Sequence, residues 1–368
     1  MIEIISGIFA ISVITGFLAL IIEIAGRTIA NYGEKNIRVN NEKELVVEGG
    51  KPLLFALADR KLYLPSACGG KGTCAYCKVK VLSGGGSLLP TETPYLSPAE
   101  IAAGIRISCQ VKVKEDLEIE VPLELLAVKE YRVQVETIVD VTPDIKHLRF
   151  AILSPPEGIT FRAGQYVQLE APLAGSSGSP EFRAYSIASS PEERHHIELI
   201  VTKVPEGTVS VYVHDRLQKG DELIMRGPFG DFYLRDSPRE TLLIATGSGL
   251  APIRSMLYER AKKNDSRSFT FFFGDRRPVD LLFHDEMSSF EKRLDNFRFI
   301  PVLSRATLED QWPGAKGRVT DLIRNQVAEG AEVDVFICGA PSMVQSCCDI
   351  LIKEKKIPPE RIHYDKFE

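Results

Sequence analysis

Four cysteines in the first third of the chain, Cys68, Cys74, Cys77 and Cys109, have the residue type and spacing to hold iron: five residues separate the first two, two separate the next pair, and the fourth stands apart. Four thiolates are what a [2Fe–2S] cluster needs, two on each iron. A structural zinc site also takes four thiolates but draws them mostly as two close pairs, so a triplet plus one favours iron–sulfur. Gly69, Gly70 and Gly72 let the intervening loop wrap closely and aim backbone N–H groups at sulfur, where a Cβ would obstruct it. The other cysteines, Cys338, Cys347 and Cys348, cluster near the opposite end. An odd number of unevenly spread cysteines in a long chain reads as thiolate chemistry in a reducing compartment and not as a disulfide framework.

A second kind of chemistry is written further along. Thr246-Gly247-Ser248-Gly249-Leu250-Ala251-Pro252 follows the apolar run Thr241-Leu242-Leu243-Ile244-Ala245 and precedes a helical stretch from Ile253 to Lys262. A glycine-rich turn between a buried strand and a helix offers open N–H groups and a helix dipole to a dinucleotide pyrophosphate. Arg183-Ala184-Tyr185-Ser186 and Gly207-Thr208-Val209-Ser210 are shorter signals, each of which alone could be an ordinary turn. The six histidines, including His195-His196, show no metal-ligand spacing and read as surface or packing residues.

These residues need scaffolds of different kinds. Residues 36–122 carry short strand-like runs such as Lys78-Val79-Lys80-Val81, broken by Gly and Pro, and imply a compact strand-rich module. Residues 131–234 alternate in the same way, as in Tyr166-Val167-Gln168-Leu169, and suit a small antiparallel barrel. From 238 to 368 the rhythm changes to buried strands and helices, including Phe269 to Phe273 and Val335 to Ile337, and predicts a parallel α/β sheet with ligands at the strand C-termini. The low-complexity stretch Gly175 to Ser179 reads as a surface loop. At the N-terminus, Ile4 to Ile22 holds no charge, and as a helix it would run roughly 28 Å, close to bilayer thickness. No Lys or Arg precedes Arg27, which favours an anchor over residues 1–26 against a cleaved signal peptide. Arg27, Lys35, Arg38 and Lys43 then put the bulk of the chain on the cytoplasmic side of the cell inner membrane as a single-pass protein. A net charge of -5 without a basic block argues against nucleic acid.

Leu64 to Cys77, reading LPSACGGKGTCAYC, resembles the cluster loop of [2Fe–2S] ferredoxins. Plant-type ferredoxins place four residues between the first two ligands; the five found here resemble the F subunit of sodium-translocating NADH:quinone oxidoreductases. The Arg183-to-Ser186 run resembles the R-x-Y-S motif of the ferredoxin-NADP reductase superfamily. That resemblance implies that Arg183 pairs with the pyrophosphate of FAD, Tyr185 packs on its ring system, and Ser186 reaches N5, the hydride acceptor. Gly207, Thr208, Val209 and Ser210 resemble the superfamily's phosphate loop, with N–H groups and a hydroxyl for the pyrophosphate. Its nicotinamide signature follows in order: Thr246, Gly247, Gly249 and Pro252; then Gly274, Asp275 and Arg276; then Cys338, Gly339, Pro341 and Met343. The tail Tyr364-Asp365-Lys366-Phe367 resembles the superfamily's C-terminus, making Phe367 the aromatic that covers the flavin.

The resemblance implies a multidomain chain: an N-terminal transmembrane helix, an α+β ferredoxin-like β-grasp domain, an antiparallel β-barrel FAD domain and an α/β parallel-sheet nucleotide domain. It implies FAD, a [2Fe–2S] cluster and NADH, with Ser186, Cys338 and Phe367 at the hydride step. Ser304-Arg305 is a pair that binds a 2′-phosphate in some relatives, while Asp275 favours NADH. Electrons would pass singly through the cluster to integral-membrane subunits of a redox complex and so indirectly to quinone, and any sodium translocation would belong to those partners. The segment between Glu170 and Arg183 is shorter than in that family. Two rival readings remain open: the reductase component of a multicomponent oxygenase, which usually has no membrane helix, and an anchored electron carrier without NADH oxidase activity.

Overall fold

Alternation builds the first sheet. In β1 (Glu34–Val39) and β2 (Lys43–Glu48), Ile37, Val39, Leu45 and Val47 turn to one face and are buried, while their sequence neighbours are exposed. The computed structural model describes residues 7, 11–21, 32–174, 180–263 and 265–367. The chain divides into two units, Met1–Leu64 with Gly70–Ala127, and Pro65–Gly69 with Val128–Glu368.

In the first unit β1 pairs antiparallel with β2 and parallel with β5 (Leu117–Glu120); β3 (Lys78–Ser83) runs antiparallel to both β5 and β4 (Ile105–Ile107). The described strands lie in the order β2-β1-β5-β3-β4. Helix α1 (Leu53–Ala58) contributes Leu53, Leu54, Ala56 and Leu57 to the same core as Ile37, Val79 and Ile119. A mixed sheet with a parallel centre and one helix on its apolar face is the β-grasp arrangement.

Of the N-terminal segment expected to span a membrane, Gly7 and residues 11–21 are described; 11–21 form a helix, and the rest of residues 1–26 lies outside the described residues. Among the described residues no helix is long and apolar enough to cross a membrane. The expected loop at 175–179 also lies outside them.

The second unit has two parts. β6 (Lys129–Thr142), β7 (Ile145–Ser154), β8 (Tyr166–Ala174), β9 (Pro180–Ser186), β10 (His196–Thr202) and β11 (Glu222–Phe229) form an antiparallel sheet in the order β10-β7-β6-β11-β8-β9. A bridge between Ile187 and Leu199 joins its two edges, so the sheet closes into a barrel around Val133, Phe150, Val167, Leu199 and Met225.

Beyond the barrel, β12 (Glu240–Thr246), β13 (Phe269–Asp275), β14 (Phe297–Leu303), β15 (Ala315–Lys316), β16 (Val333–Gly339) and β17 (Ile362–Lys366) pair in parallel as β15-β14-β13-β12-β16-β17. Successive residues feed opposite cores. Phe271 and Phe273 join Ile253, Met256 and, from helix α4 (His284–Arg293), Phe290 on one face, and Phe272 joins Val319, Ile323 and Val344 on the other. Chain order reverses at β12, which lies between β13 and β16, and the crevice beyond its C-terminus is where such sheets take ligands.

The first unit also buries a charge pair. Glu92 is fully covered and receives Arg106 through Nε at 3.0 Å and Nη2 at 2.7 Å, while the guanidinium also donates to the carbonyls of Gly85, Gly86 and Ser87. Burial alone would push the Glu92 carboxyl up, but Arg106 and the N–H groups of Ile107 and Leu89 more than offset it and hold it below the ordinary range. Arg106→Met strands that carboxylate and should cost about 3–5 kcal/mol, read as a fall in the unfolding midpoint of the holoprotein. A midpoint within a degree of the wild type would refute this role.

Candidate active site

The turn after β12 is shaped by a close approach of two backbones. A Cβ on Gly249 would collide with the carbonyl oxygen of Cys338 at the end of β16, so a side chain there must push the turn off the sheet. Helix α3 (Leu250–Lys263) starts directly after it. Pro252 falls in the first turn of α3, where its missing N–H costs no helical bond. Helix α6 (Pro341–Asp349) begins likewise with Pro341 after Gly339.

These strand ends open on a cleft of about 700 Å³, within the usual range for small-molecule sites. Thr246, Gly274, Asp275, Arg276, Ser304 and Met343 line it. Arg318, Arg324 and Lys353 line it too; no local motif marks them, and only the return of the chain through α5 (Val319–Gln326) and α6 brings them there. Gly247, Pro252, Cys338 and Pro341 shape the surrounding turns, while Arg276 reaches outward to Asp144 at 3.3 Å and Asp280 at 3.5 Å. Ser304 donates both its N–H and its hydroxyl to the carbonyl of Asp275, extending the β13–β14 pairing.

Asp275 places a largely buried carboxyl in this cleft. Its Oδ1 accepts the N–H of Arg276 at 3.0 Å, whereas Oδ2 is buried with no hydrogen-bond partner. Burial, reinforced by the nearby Asp280 and Asp144 carboxylates, pushes its pKa up to about 7 despite that N–H and the Arg276 charge. A lone buried acceptor in a nucleotide-sized cleft suits a ligand hydroxyl.

The flavin motif lies on β9. Register pairs Leu169 with Arg183, Val167 with Tyr185 and Tyr166 with Ser186. Arg183 donates to Glu181 at 3.1 Å and to the Phe182 carbonyl at 2.6 Å; Tyr185 packs half-buried on the barrel core, where burial raises its phenol pKa; Ser186 is buried at the strand end. Helix α2 (Thr208–Asp215) packs across β8, β9 and β10, with Gly207 at its N-cap, and its first-turn N–H groups have no partner within the helix. Val209 is buried in the barrel. The Ser210 hydroxyl differs from expectation: it accepts the N–H of Val204 at 3.2 Å, so it ties the loop back on itself instead of standing open for a phosphate.

Cys338 is fully buried, and burial, with the Asp365 charge, keeps its thiol well above the ordinary pKa and neutral. Phe367 packs against the same apolar cluster, and its N–H donates to the Gly339 carbonyl at 3.0 Å, prolonging the β16–β17 ladder. Cys347 and Cys348 are core thiols on the opposite face.

In the first unit, Cys77 immediately precedes β3 and Cys109 follows β4; the pairing of Lys78 with Ile107 and the bond from Ser108 N–H to the Cys77 carbonyl bring them side by side. Both are buried, and Cys74 is half-exposed. Gly70 and Gly72 have φ of +82° and +80°, and their missing Cβ positions are taken by the ring of Phe55 and the amide of Gln110. Gln110, which no motif pointed to, donates to the Cys109 sulfur at 3.7 Å. Cys68 belongs to the short segment assigned to the second unit, where the next residue, Gly69, abuts Arg183. Among the described residues no three His, Cys, Asp or Glu side chains gather as they would round a single ion. A [2Fe–2S] centre asks for two thiolates at each of two irons, and the wrapped glycine loop with an amide donor on sulfur fits that group.

A glycine-rich loop with three cysteines and a fourth alongside, an antiparallel barrel and a parallel sheet with a cleft at its switch point are the parts of a flavin- and iron–sulfur-dependent oxidoreductase. Family models agree in chain order: a 2Fe-2S iron-sulfur cluster binding domain over residues 37–114, an oxidoreductase FAD-binding domain over 132–233 and an oxidoreductase NAD-binding domain over 243–349. The chain is 35% identical to the F subunit of the Na(+)-translocating NADH-quinone reductase of Neisseria meningitidis, over 99% of each chain, and 33% identical to that of Methylococcus capsulatus over the full length of both. It belongs to the family of Na(+)-translocating NADH-quinone reductase F subunits. Among solved structures it resembles the cytochrome P450 reductase GcoB of Amycolatopsis, with a TM-score of 0.73 and 29% identity over 90% of this chain and 98% of that one.

A raised carboxyl pKa has a signed consequence. Because Asp275 binds its proton more tightly folded than unfolded, its contribution to stability is complete below about pH 4 and is lost as pH rises through about 7. Without nucleotide, the melting temperature should decline over that window more steeply in the wild type than in Asp275→Asn; parallel curves would contradict the assignment.

Proposed function

We propose that this chain is the NADH-oxidising component of a membrane quinone reductase: hydride passes from NADH to FAD, and electrons leave singly through a [2Fe–2S] cluster toward integral-membrane subunits and quinone. The observation that carries the reading is the Gly249 turn pressed on Cys338, beside a cleft whose buried Asp275 oxygen lacks a partner. Bound FAD supplies the conversion between two-electron and one-electron chemistry.

The chain's own work is positioning. Arg183 and the N–H groups of Thr208 and Val209 would hold the flavin pyrophosphate, with Tyr185 packing on the ring system and the Ser186 hydroxyl serving as donor to its hydride-accepting nitrogen. Thr246, Gly247 and Gly249 receive the nicotinamide pyrophosphate. Asp275 accepts a ribose hydroxyl and, when ionised, disfavours a 2′-phosphate, which supports NADH over NADPH. Cys338, a neutral thiol, would shape the floor of the nicotinamide site, and Phe367, packed on the same cluster, would cover the flavin face. Cys68, Cys74, Cys77 and Cys109 ligate the cluster, with Gln110 donating to sulfur.

An anchor at residues 1–26 gives the protein its place in the membrane, with the bulk of the chain cytoplasmic. In support, Ile11, Val13, Ile14, Phe17, Leu18, Leu20 and Ile21 are 46–65% exposed, an apolar surface that water disfavours and lipid accepts. Deleting residues 1–25 should yield a protein that oxidises NADH but no longer sediments with membranes; retention in the membrane fraction would remove the anchor.

Cys74→Ala should abolish the visible and EPR signature of the cluster while NADH still bleaches the flavin. Normal cluster absorption in that variant would rule out the ligand set.

A further inference from the structure

Arg254 lies one turn into α3, two residues beyond Pro252, and is 7% exposed in its side chain. Its guanidinium is shared among four acceptors. Nη1 donates to Glu198 of β10 at 2.5 Å and to the carbonyl of Ala188 at 2.9 Å; Nε donates to Glu286 at 2.9 Å; Nη2 reaches the Tyr258 hydroxyl at 3.2 Å. Glu198 is held in turn by Arg149 at 2.8 Å and His147 at 3.2 Å.

The bonds around this pair converge on the two sites of the hydride reaction. Ala188 is two residues past Ser186, and its N–H donates to the Glu198 carbonyl at 2.8 Å. On α3, Ser255 donates its hydroxyl to the Ser189 carbonyl at 2.7 Å. In the nucleotide turn itself, Ser248 bonds the Thr202 hydroxyl at the end of β10 at 2.8 Å. The residues after the flavin motif and the residues of the nicotinamide turn are therefore fastened together by buried and half-buried bonds.

We propose that Arg254, through Glu198 and the Ala188 carbonyl, is a positioning residue that sets the distance between nicotinamide and flavin for hydride transfer. The inference rests on the reading of Ser186 and of the 246–252 turn as the two cofactor sites. A buried ion pair is a weak net stabiliser, since apolar side chains of similar volume commonly serve as well. What it adds is direction: a planar fork bonded at fixed angles to a strand, a turn and a helix leaves little freedom for α3 to slide on the barrel. Hydride transfer needs reacting atoms about 3–3.5 Å apart, and a displacement of about 1 Å costs about a hundredfold.

The test is stopped-flow reduction of the flavin in FAD-loaded full-length protein at saturating NADH, comparing Arg254→Lys, Arg254→Met, Glu198→Gln and the Arg254→Met/Glu198→Gln double variant. Lysine keeps the charge but cannot serve all the acceptors at once, so it carries the test if the Met variant loses FAD. The limiting rate should fall about tenfold in Arg254→Lys and further in Arg254→Met, with NADH Kd within about twofold of wild type. The double variant should be no slower than the worse single one. An unchanged limiting rate with lowered melting temperature, a loss confined to Kd, or multiplicative losses in the double variant would each overturn the proposal. Failure of NADH to bleach the wild-type flavin would instead overturn the cofactor reading.

Discussion

The nucleotide half of this protein depends on a contact with no side chain on one of its sides: the backbone of Gly249 set against the carbonyl of Cys338. That approach draws the turn after β12 onto the end of β16, and it does so where strand order reverses. The cleft, the starts of α3 and α6, and the burial of Cys338 follow from it. A parallel sheet has its ligand crevice at such a switch point because flanking connections leave in opposite directions, and glycine lets the backbone line that crevice instead of filling it.

Arg106–Glu92 and Asp275 show contrasting uses of a buried carboxyl. Arg106 and Glu92 satisfy each other and a loop of carbonyls inside the first unit, so their role is internal to that fold. Asp275 is left incomplete, with one oxygen bonded and one not, and burial holds its proton near neutrality. Incompleteness is costly in a folded chain unless a ligand supplies the missing donor, which is why a half-satisfied carboxyl in a cleft speaks for binding.

The sulfur loop is shaped by the same shortage of space. Phe55 and Gln110 occupy the places where side chains at 70 and 72 would stand, so the loop can turn tightly only because those residues are glycine. Gln110 also brings a donor to Cys109, and an N–H aimed at sulfur stabilises the electron-rich state of a thiolate centre.

How much of this was legible beforehand follows from how local each signal is. The cysteine spacing, the glycine turn at 247–249, the R-x-Y-S run and the alternation that separates barrel from parallel sheet are written in contiguous residues, because thiolate ligation, phosphate binding and strand pleating impose short-range constraints. The sequence by itself determined the three domains, their order and the chemistry each is built for. Tertiary structure decided the rest: that Ser210 commits its hydroxyl to Val204, that Arg318, Arg324 and Lys353 arrive at the cleft, that Gln110 meets Cys109, and that Arg254 finds Glu198 across fifty-six residues of chain. A long polar side chain can serve any acceptor within its reach, and which acceptor that is depends on how strands and helices pack, not on its neighbours in sequence.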